Sequence, residues 1–308
     1  MQPELSLIFC SRAEKLPESL LQNIDSTIGC EYELVVIDNS QQSYSIYEAY
    51  QLGYERSSGI YLAYLHDDVY FHTPNWGLLL KSHLDIPGAG IMGIGGRDTL
   101  VRVPSSWTVS LPYIHLIQSD KNGKKRKVKH RPVGFTGSRA KVSMLDGVML
   151  CMPRRVMETI AFDTRMKGFH GYDFDICIRA SAAGFQNYVM YNIDIEHFSR
   201  GSADQTYYKN LIQVFEKNTM DLPVSTTNLS ETEQHVLEIQ GMNRLARKMM
   251  VKGFTFGEIL TVRRRFCEIT GISSQITPFN KALLGIQFLL IRFIYKPCLG
   301  FKTHKKNG

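Results

Sequence analysis

The sequence predicts an α/β protein built on a doubly wound, mostly parallel sheet, followed by a helical, basic C-terminal extension. Three observations carry this expectation. Residues 5–71 alternate between apolar, β-rich runs and amphipathic helical stretches, the pattern of parallel strands joined by crossover helices. The apolar runs stop on polar or acidic residues, and ligands bind at the carboxyl ends of strands in such sheets. Charge is spread unevenly: residues 241–308 hold 13 Lys plus Arg against 2 Asp plus Glu, a net +11, while the remainder carries −4.

Residues 5–12, LSLIFCSR, read as a strand running into a polar turn. A helix is expected over 16–24, a second apolar strand over 32–40 with Asp38 at its end, and a helix over 46–56. The run 60–71, IYLAYLHDDVYF, is the most informative. It is apolar and aromatic until His66-Asp67-Asp68, after which a strand resumes or turns at Val69-Tyr70-Phe71. Two carboxylates and an imidazole at the end of a core strand are costly unless something pairs with them. A divalent cation carrying phosphate oxygens meets that need; a solvated turn with an Asx cap is the alternative. Arg12, Asp38 and Asp68 all fall at strand ends and are expected to face one crevice.

Taken together, LSLIFCSR, VVIDNS and YLAYLHDDVYF resemble the nucleotide-binding half of inverting GT-A glycosyltransferases, the family-2-like nucleotide-diphospho-sugar transferases. The HDDV form is most similar to a bacterial branch related to a streptomycin-cluster, StrF-type domain. The resemblance implies a DxD-type motif here, with Asp68 contacting a metal and Asp67 a nearby helper. His66 stands where an acidic residue is common and reads as a packed or supporting residue. Arg12 and Asp38 are implied to contact the nucleotide, Asp38 at the base or ribose.

The second half carries matching residues. Residues 144–152 read as a buried strand with an Asp146-Gly147 kink, and 153–160 as a helix with Pro153 in its first position. The phrase Gly171-Tyr172-Asp173-Phe174-Asp175 before an apolar helical run resembles the opening of the family's catalytic-base helix, commonly worded Glu-Asp-x-Asp, with Tyr172 in the place of the Glu. Asp173 then corresponds to the base, which must take the acceptor hydroxyl's proton as its oxygen attacks the anomeric carbon. Both aspartates are also ordinary first-turn helix carboxylates, Asp175 more so. Asp146 is implied to line the donor-sugar pocket. His197-x-Ser199-x-Gly201-Ser202 resembles the segment in which a His completes the metal site, and Gly201 and Ser202 would bring N–H groups to a phosphate. Imidazole suits Mn2+ better than Mg2+.

Composition narrows the classes. A chain of 308 residues with 44% hydrophobic content suits a globular protein. Cys10, Cys30, Cys151, Cys177, Cys267 and Cys298 are scattered, with no CxxC pair, as for reduced thiols. MQPELSLIF has no basic n-region or long apolar core, so a cytoplasmic location without a signal peptide is expected. The basic run 121–131 reads as a mobile surface loop that covers the donor diphosphate, meets an anionic acceptor, or is simply solvated. Aromatic residues do not interleave with its charges, so nucleic acid is not an expected partner. Helices are expected over 230–250 and 256–269. The apolar run 282–296 falls short of the ~20 residues that span a bilayer, but Lys281, Arg292, Lys296 and Lys302 flank it. It reads as lying on an anionic membrane surface, with a packed helix or an oligomer contact as alternatives.

The expectation is a GT-A domain over 1–208 and a helical extension over 209–308. The resemblance implies a glycosyltransferase that uses Mn2+ or Mg2+ and a nucleotide diphosphate sugar, acts on a glycan or lipid-linked acceptor in bacterial surface-glycan synthesis, and sits peripherally on the inner face of the cell membrane. Two alternatives stand beside it. A nucleotidyltransferase would carry a Gly-rich basic loop after the first strand, which Phe9-Cys10-Ser11-Arg12-Ala13-Glu14 does not supply. A non-catalytic relative that binds glycan or membrane fits the Tyr172 and His66 departures.

Overall fold

The computed structural model describes residues 3–105, 112–119, 124–198, 203–272 and 278–290. The described residues fall into two compact units: one within Met1–Leu100, Ser106–Ser202 and Met220–Thr227, the other within Val101–Ser105, Ala203–Thr219 and Asn228–Gly308.

The first unit opens with β1 (Leu5–Ser11), α1 (Glu18–Thr27), β2 (Tyr32–Asp38), α2 (Ile46–Arg56) and β3 (Tyr61–Leu65). β1 pairs in parallel with both β2 and β3, as the strand-helix alternation requires. α1 begins later than expected because Pro17, with extended backbone (ψ 132°), stands before its first turn. α2 is set by a capping box between Ser45 and Glu48. The chain continues through β4 (Val69–Phe71), α3 (Trp76–Leu84), β5 (Ala89–Gly93), β6 (Gly95–Arg97), β7 (Thr99–Leu100), β8 (Pro112–Ser119), β9 (Lys125–His130), β10 (Arg139–Val142), β11 (Met144–Leu145), β12 (Met149–Pro153), α4 (Arg154–Ile160), α5 (Tyr172–Ala182), β13 (Gln186–Met190) and β14 (Ile195–His197).

Seven strands form the central sheet in the order β10-β13-β5-β12-β3-β1-β2. It is mixed: β13–β5, β3–β1 and β1–β2 are parallel, and the other three pairings are antiparallel. The expected mostly parallel sheet therefore holds around β1 and at β13–β5, and breaks where β12 and β10 join it. The reason is the short Asp146-Gly147-Val148 link after β11, which starts β12 at the carboxyl edge of β3 and sends it back the other way. A second sheet, β11-β6-β8-β14-β4, carries β9 on the free edge of β8.

The runs 60–71 and 144–152 are each split between the two sheets. Residues 60–71 become β3 and β4, because the chain turns at His66-Asp67-Asp68. Residues 144–152 become β11 and β12 around Asp146-Gly147. Pro153 ends β12 and caps α4 instead of opening it. The basic run 121–131 is not a loop over its described part: β9 pairs along β8 from Ser119–Lys125 to Ile114–His130.

Two apolar clusters face the central sheet from opposite sides. One packs Ile8, Ile37, Tyr64 and Leu150 with Tyr172 and Ile176 of α5. The other packs Leu7, Phe9, Leu65 and Met149 with Val69, Phe71 and Ile195 of the second sheet. At ~25 cal/mol per Å2 of apolar surface, these layers are the main stabilising contribution, and they fix the strand ends relative to one another.

β15 (Val224–Ser225) pairs with β7 within the first unit, next to a 3-10 turn at Thr219–Asp221. The second unit contains α6 (Gln205–Lys217), α7 (Glu231–Lys252), α8 (Phe256–Thr270) and α9 (Pro278–Leu290). The expected boundary at 208 falls inside α6. Capping boxes at Ser230/Glu233 and Thr255/Glu258 start α7 and α8, and Gly253 and Gly271, both with left-handed backbone, end them. Residues 291–308, with Arg292, Lys296 and Lys302 of the expected basic flank, lie outside the described residues.

Candidate active site

The carboxyl ends of β1, β2 and β3 and the start of β12 lie along one edge of the central sheet. Register places Ser11 opposite Asp38, and the Asn39 N–H donates to the Ser11 carbonyl at 2.8 Å. Asp38 is exposed, and its Oδ1 accepts the Ser40 N–H at 2.9 Å. That bond holds the carboxyl below its usual range. Arg12 is exposed immediately beyond β1. The Ser11 hydroxyl donates to Asp67 Oδ2 at 2.8 Å, so Asp67 ties the turn after β3 to the end of β1.

The same turn delivers Asp68 to the second sheet. Its carbonyl accepts the Phe198 N–H at 3.0 Å, and Val69 pairs with His197 across β4 and β14. Asp68 Oδ1 lies 3.3 Å from His197 Nε2 and 3.8 Å from His66 Nδ1. One ligand atom from each of the three lies within 4.8 Å of the others. His66 thus stands among the ligand atoms, where the resemblance assigned it a supporting place.

Tyr172 explains why His66 presents that nitrogen. The Tyr172 hydroxyl donates to the Gly147 carbonyl at 3.1 Å and lies 3.1 Å from His66 Nε2. A hydroxyl has one proton to give, so His66 carries its own proton on Nε2 and keeps the Nδ1 lone pair toward Asp68. Burial holds the imidazole below its ordinary pKa, against the opposing pull of Asp68. Gly147 is required at this point: a Cβ there would sit 2.2 Å from the Tyr172 hydroxyl oxygen. Two imidazoles and a carboxylate form a mixed N/O donor set that fits Mn2+. Further positions on such an ion would remain for phosphate oxygens.

Asp146 and Asp173 form the adjoining wall. Asp146 is held by its N–H to the Gly95 carbonyl (2.8 Å) and by Oδ1 accepting the Val148 N–H (3.1 Å). Asp173 follows Tyr172 in the first turn of α5 and accepts the Phe174 N–H at 3.0 Å. Burial first, and then the Asp146 charge, push its carboxyl up to about 7 against the pull of backbone N–H groups. Asp175 differs: it is fully buried and paired with Arg179 at 2.9 Å. The two aspartates therefore part company, Asp175 holding the helix and Asp173 lining the crevice. Sequence reasoning missed the part played by Tyr172, which is buried against Gly147 and His66. The only signal was a Tyr where the family phrase has an acid. Ser199, Gly201 and Ser202 lie outside the described residues.

The sequence profile of the "Glycosyltransferase like family" matches residues 6–218, well over half of the chain and all of the site residues named above. The chain belongs to this glycosyltransferase-like family. The match reaches the family and not the streptomycin-cluster branch. No protein with a curated description matches this chain in sequence. Among solved structures, TarS of S. aureus (residues 1–349, with UDP-GlcNAc) superposes with a TM-score of 0.55 at 12% identity, over 92% of this chain and 87% of that one. GalNAc-T7 with UDP, GalNAc and Mn2+ gives 0.51 at 13% identity, over 90% of this chain. The present chain spans 57% of the GalNAc-T7 chain. These likenesses establish the GT-A fold expected from the sequence.

Proposed function

We propose that this glycosyltransferase carries out metal-dependent, inverting transfer of a sugar from a nucleotide diphosphate sugar to a hydroxyl of a glycan or lipid-linked acceptor. The observation that carries the reading is one crevice holding both a His66–Asp68–His197 donor set and an Asp173 carboxyl pushed up to about 7. The neighbours crystallised with UDP-GlcNAc, or with UDP and Mn2+, support UDP and Mn2+ as the first ligands to test.

Arg12 and Asp38 bind the nucleotide at the β1–β2 end, where both are exposed. Asp68, His197 and His66 would hold the cation, which supplies positive charge against that developing on the leaving diphosphate. Asp67, bonded to Ser11, braces the turn that presents Asp68. Asp146 lines the sugar pocket, and its charge keeps Asp173 basic. The ionised Asp173 carboxylate takes the acceptor hydroxyl's proton as that oxygen attacks the anomeric carbon opposite the diphosphate. A diphosphate leaves without a strong general acid, so a single base suffices.

Surface-glycan synthesis at the inner face of the cell membrane belongs to the same proposal. Its support is the +11 carried by residues 241–308 together with exposed Ile286, Leu289 and Leu290 on α9. Among the described residues no helix is long and apolar enough to cross a membrane. Flotation with anionic vesicles at low salt tests this part: a chain that stays at the bottom removes it. Proton NMR of the transferred or slowly hydrolysed sugar tests the chemistry, and a first product of retained anomeric configuration would overturn the inverting mechanism.

A further inference from the structure

β9 is an edge strand whose two faces behave differently. On its outer face Lys125 Nζ reaches Glu196 Oε2 at 2.7 Å, and Lys129 Nζ reaches Asp194 Oδ1 at 3.1 Å. Glu196 is 1% exposed and also takes His72 Nε2 at 2.8 Å and the Ser119 hydroxyl. A buried carboxylate leans on each of its donors, because losing one leaves charge uncompensated. These pairs anchor the register of β9 against β8 and β14.

That register decides where the inner face points. Paired residues run across the sheet from Val69 through His197 and Gln118 to Arg126. Residues directly opposite one another project to the same side. Arg126 therefore shares a face with His197, two strand spacings or about 10 Å away. On this face Ile195, Val69 and Leu116 pack into the core, yet Arg126 is exposed. It thus lies exposed on the edge strand, on the face of the second sheet that carries His197 and level with it. Lysines on an edge strand guard against pairing with other chains, which accounts for the outer face of β9. An inward arginine level with His197 is left over by that account.

We propose that Arg126 contacts the phosphate oxygens of the nucleotide diphosphate donor, adding a guanidinium beside the cluster of His66, Asp68 and His197. The proposal rests on the donor reading above. The planar guanidinium can grip a phosphate through two N–H groups at once, and pairing of β9 with β8 sets the face from which it reaches.

Calorimetric titration of the full chain with UDP and Mn2+ tests it. Arg126→Ala is expected to weaken UDP by about tenfold, with Arg126→Lys intermediate and the melting temperature unchanged. Uridine, which has no phosphate, should bind both proteins alike. Lys127→Ala, on the opposite face, should match wild type. Raising KCl should weaken UDP more steeply in wild type than in Arg126→Ala. Equal UDP affinity in wild type and Arg126→Ala, with Asp68→Ala defective, overturns the role of Arg126 and leaves the donor reading standing. Equal losses in Arg126→Ala and Lys127→Ala also overturn it, since surface charge alone would then suffice. A wild-type chain that binds no nucleotide diphosphate with Mn2+ removes both readings.

Discussion

At the β1–β2 end of the crevice an aspartate stands in water, while at the α5 end another is hemmed in by protein and a second carboxylate. Asp38 is exposed, and the Ser40 N–H holds its carboxyl below the usual range. Asp173 is half-buried beside Asp146 and titrates at about 7. Both follow from their places in the same fold, one at a strand end and one at a helix start. The difference teaches that burial and neighbouring charge, not the place at an element end, set how each carboxyl titrates.

The largest effect should come from the cluster between the two ends. Asp68→Ala is expected to abolish Mn2+-dependent nucleotide binding and to lower transfer by roughly 10³-fold or more. A variant that still shows metal-dependent stabilisation by UDP in a thermal-shift assay would break the account of the cluster.

Asp173→Asn should come next, lowering kcat by about 10²–10⁴-fold with donor KM little changed. Asp38→Asn should instead weaken the nucleotide only a few-fold, with stability within about 0.5 kcal/mol of wild type. If the two variants lost kcat alike, the contrast between the ends would be wrong.

The same contrast has a pH signature. A base that titrates at about 7 makes kcat rise with pH through that value. For stability the sign is opposite. The folded Asp173 keeps its proton to higher pH than the unfolded chain, whose carboxyl titrates at about 3.9. Folded protein therefore loses stability as pH rises from about 4 to about 7, and the cost is complete above that. Asp173→Asn should remove it, stabilising the protein at pH 8 by about 1–2 kcal/mol after allowing for the water that still reaches the carboxyl. At pH 4 the two proteins should melt alike. Denaturant titrations at both pH values check this, and equal stability at pH 8 would argue against the raised carboxyl.

Tyr172→Phe sharpens the account of His66. Without the hydroxyl, neither Gly147 nor His66 Nε2 keeps its partner, and Mn2+ affinity should fall by about 10–100-fold. Unchanged affinity would return His66 to a packing residue.

Much of this crevice was legible in the sequence, and the pattern of what was not is physical. The β1–α1–β2–α2–β3 series showed itself because long apolar strands and capped helices leave periodic signals. The second sheet did not, because β6, β11, β4 and β14 are only two or three residues long. For the same reason residues 121–131 read as a loop: β9 is charged and its order comes from pairing with β8 and from Glu196, distant in sequence. Arg12, Asp38, Asp67, Asp68, Asp146, Asp173 and His197 were singled out as candidates through phrases at element ends. Asp68 and His197 come together because β4 and β14 pair. The place of His66 in the cluster needed Tyr172, 106 residues away, and no local pattern encodes that contact.

The central claim is that His66, Asp68 and His197 together hold the ion that links the nucleotide to the crevice. Electron paramagnetic resonance of Mn2+ titrated into the full chain with UDP tests it most directly. The account predicts one bound Mn2+ with nitrogen couplings from two imidazoles, one lost in His66→Ala and one in His197→Ala, with binding abolished in Asp68→Ala. Mn2+ that binds with UDP but shows no histidine nitrogen, or that binds equally in Asp68→Ala, would contradict it.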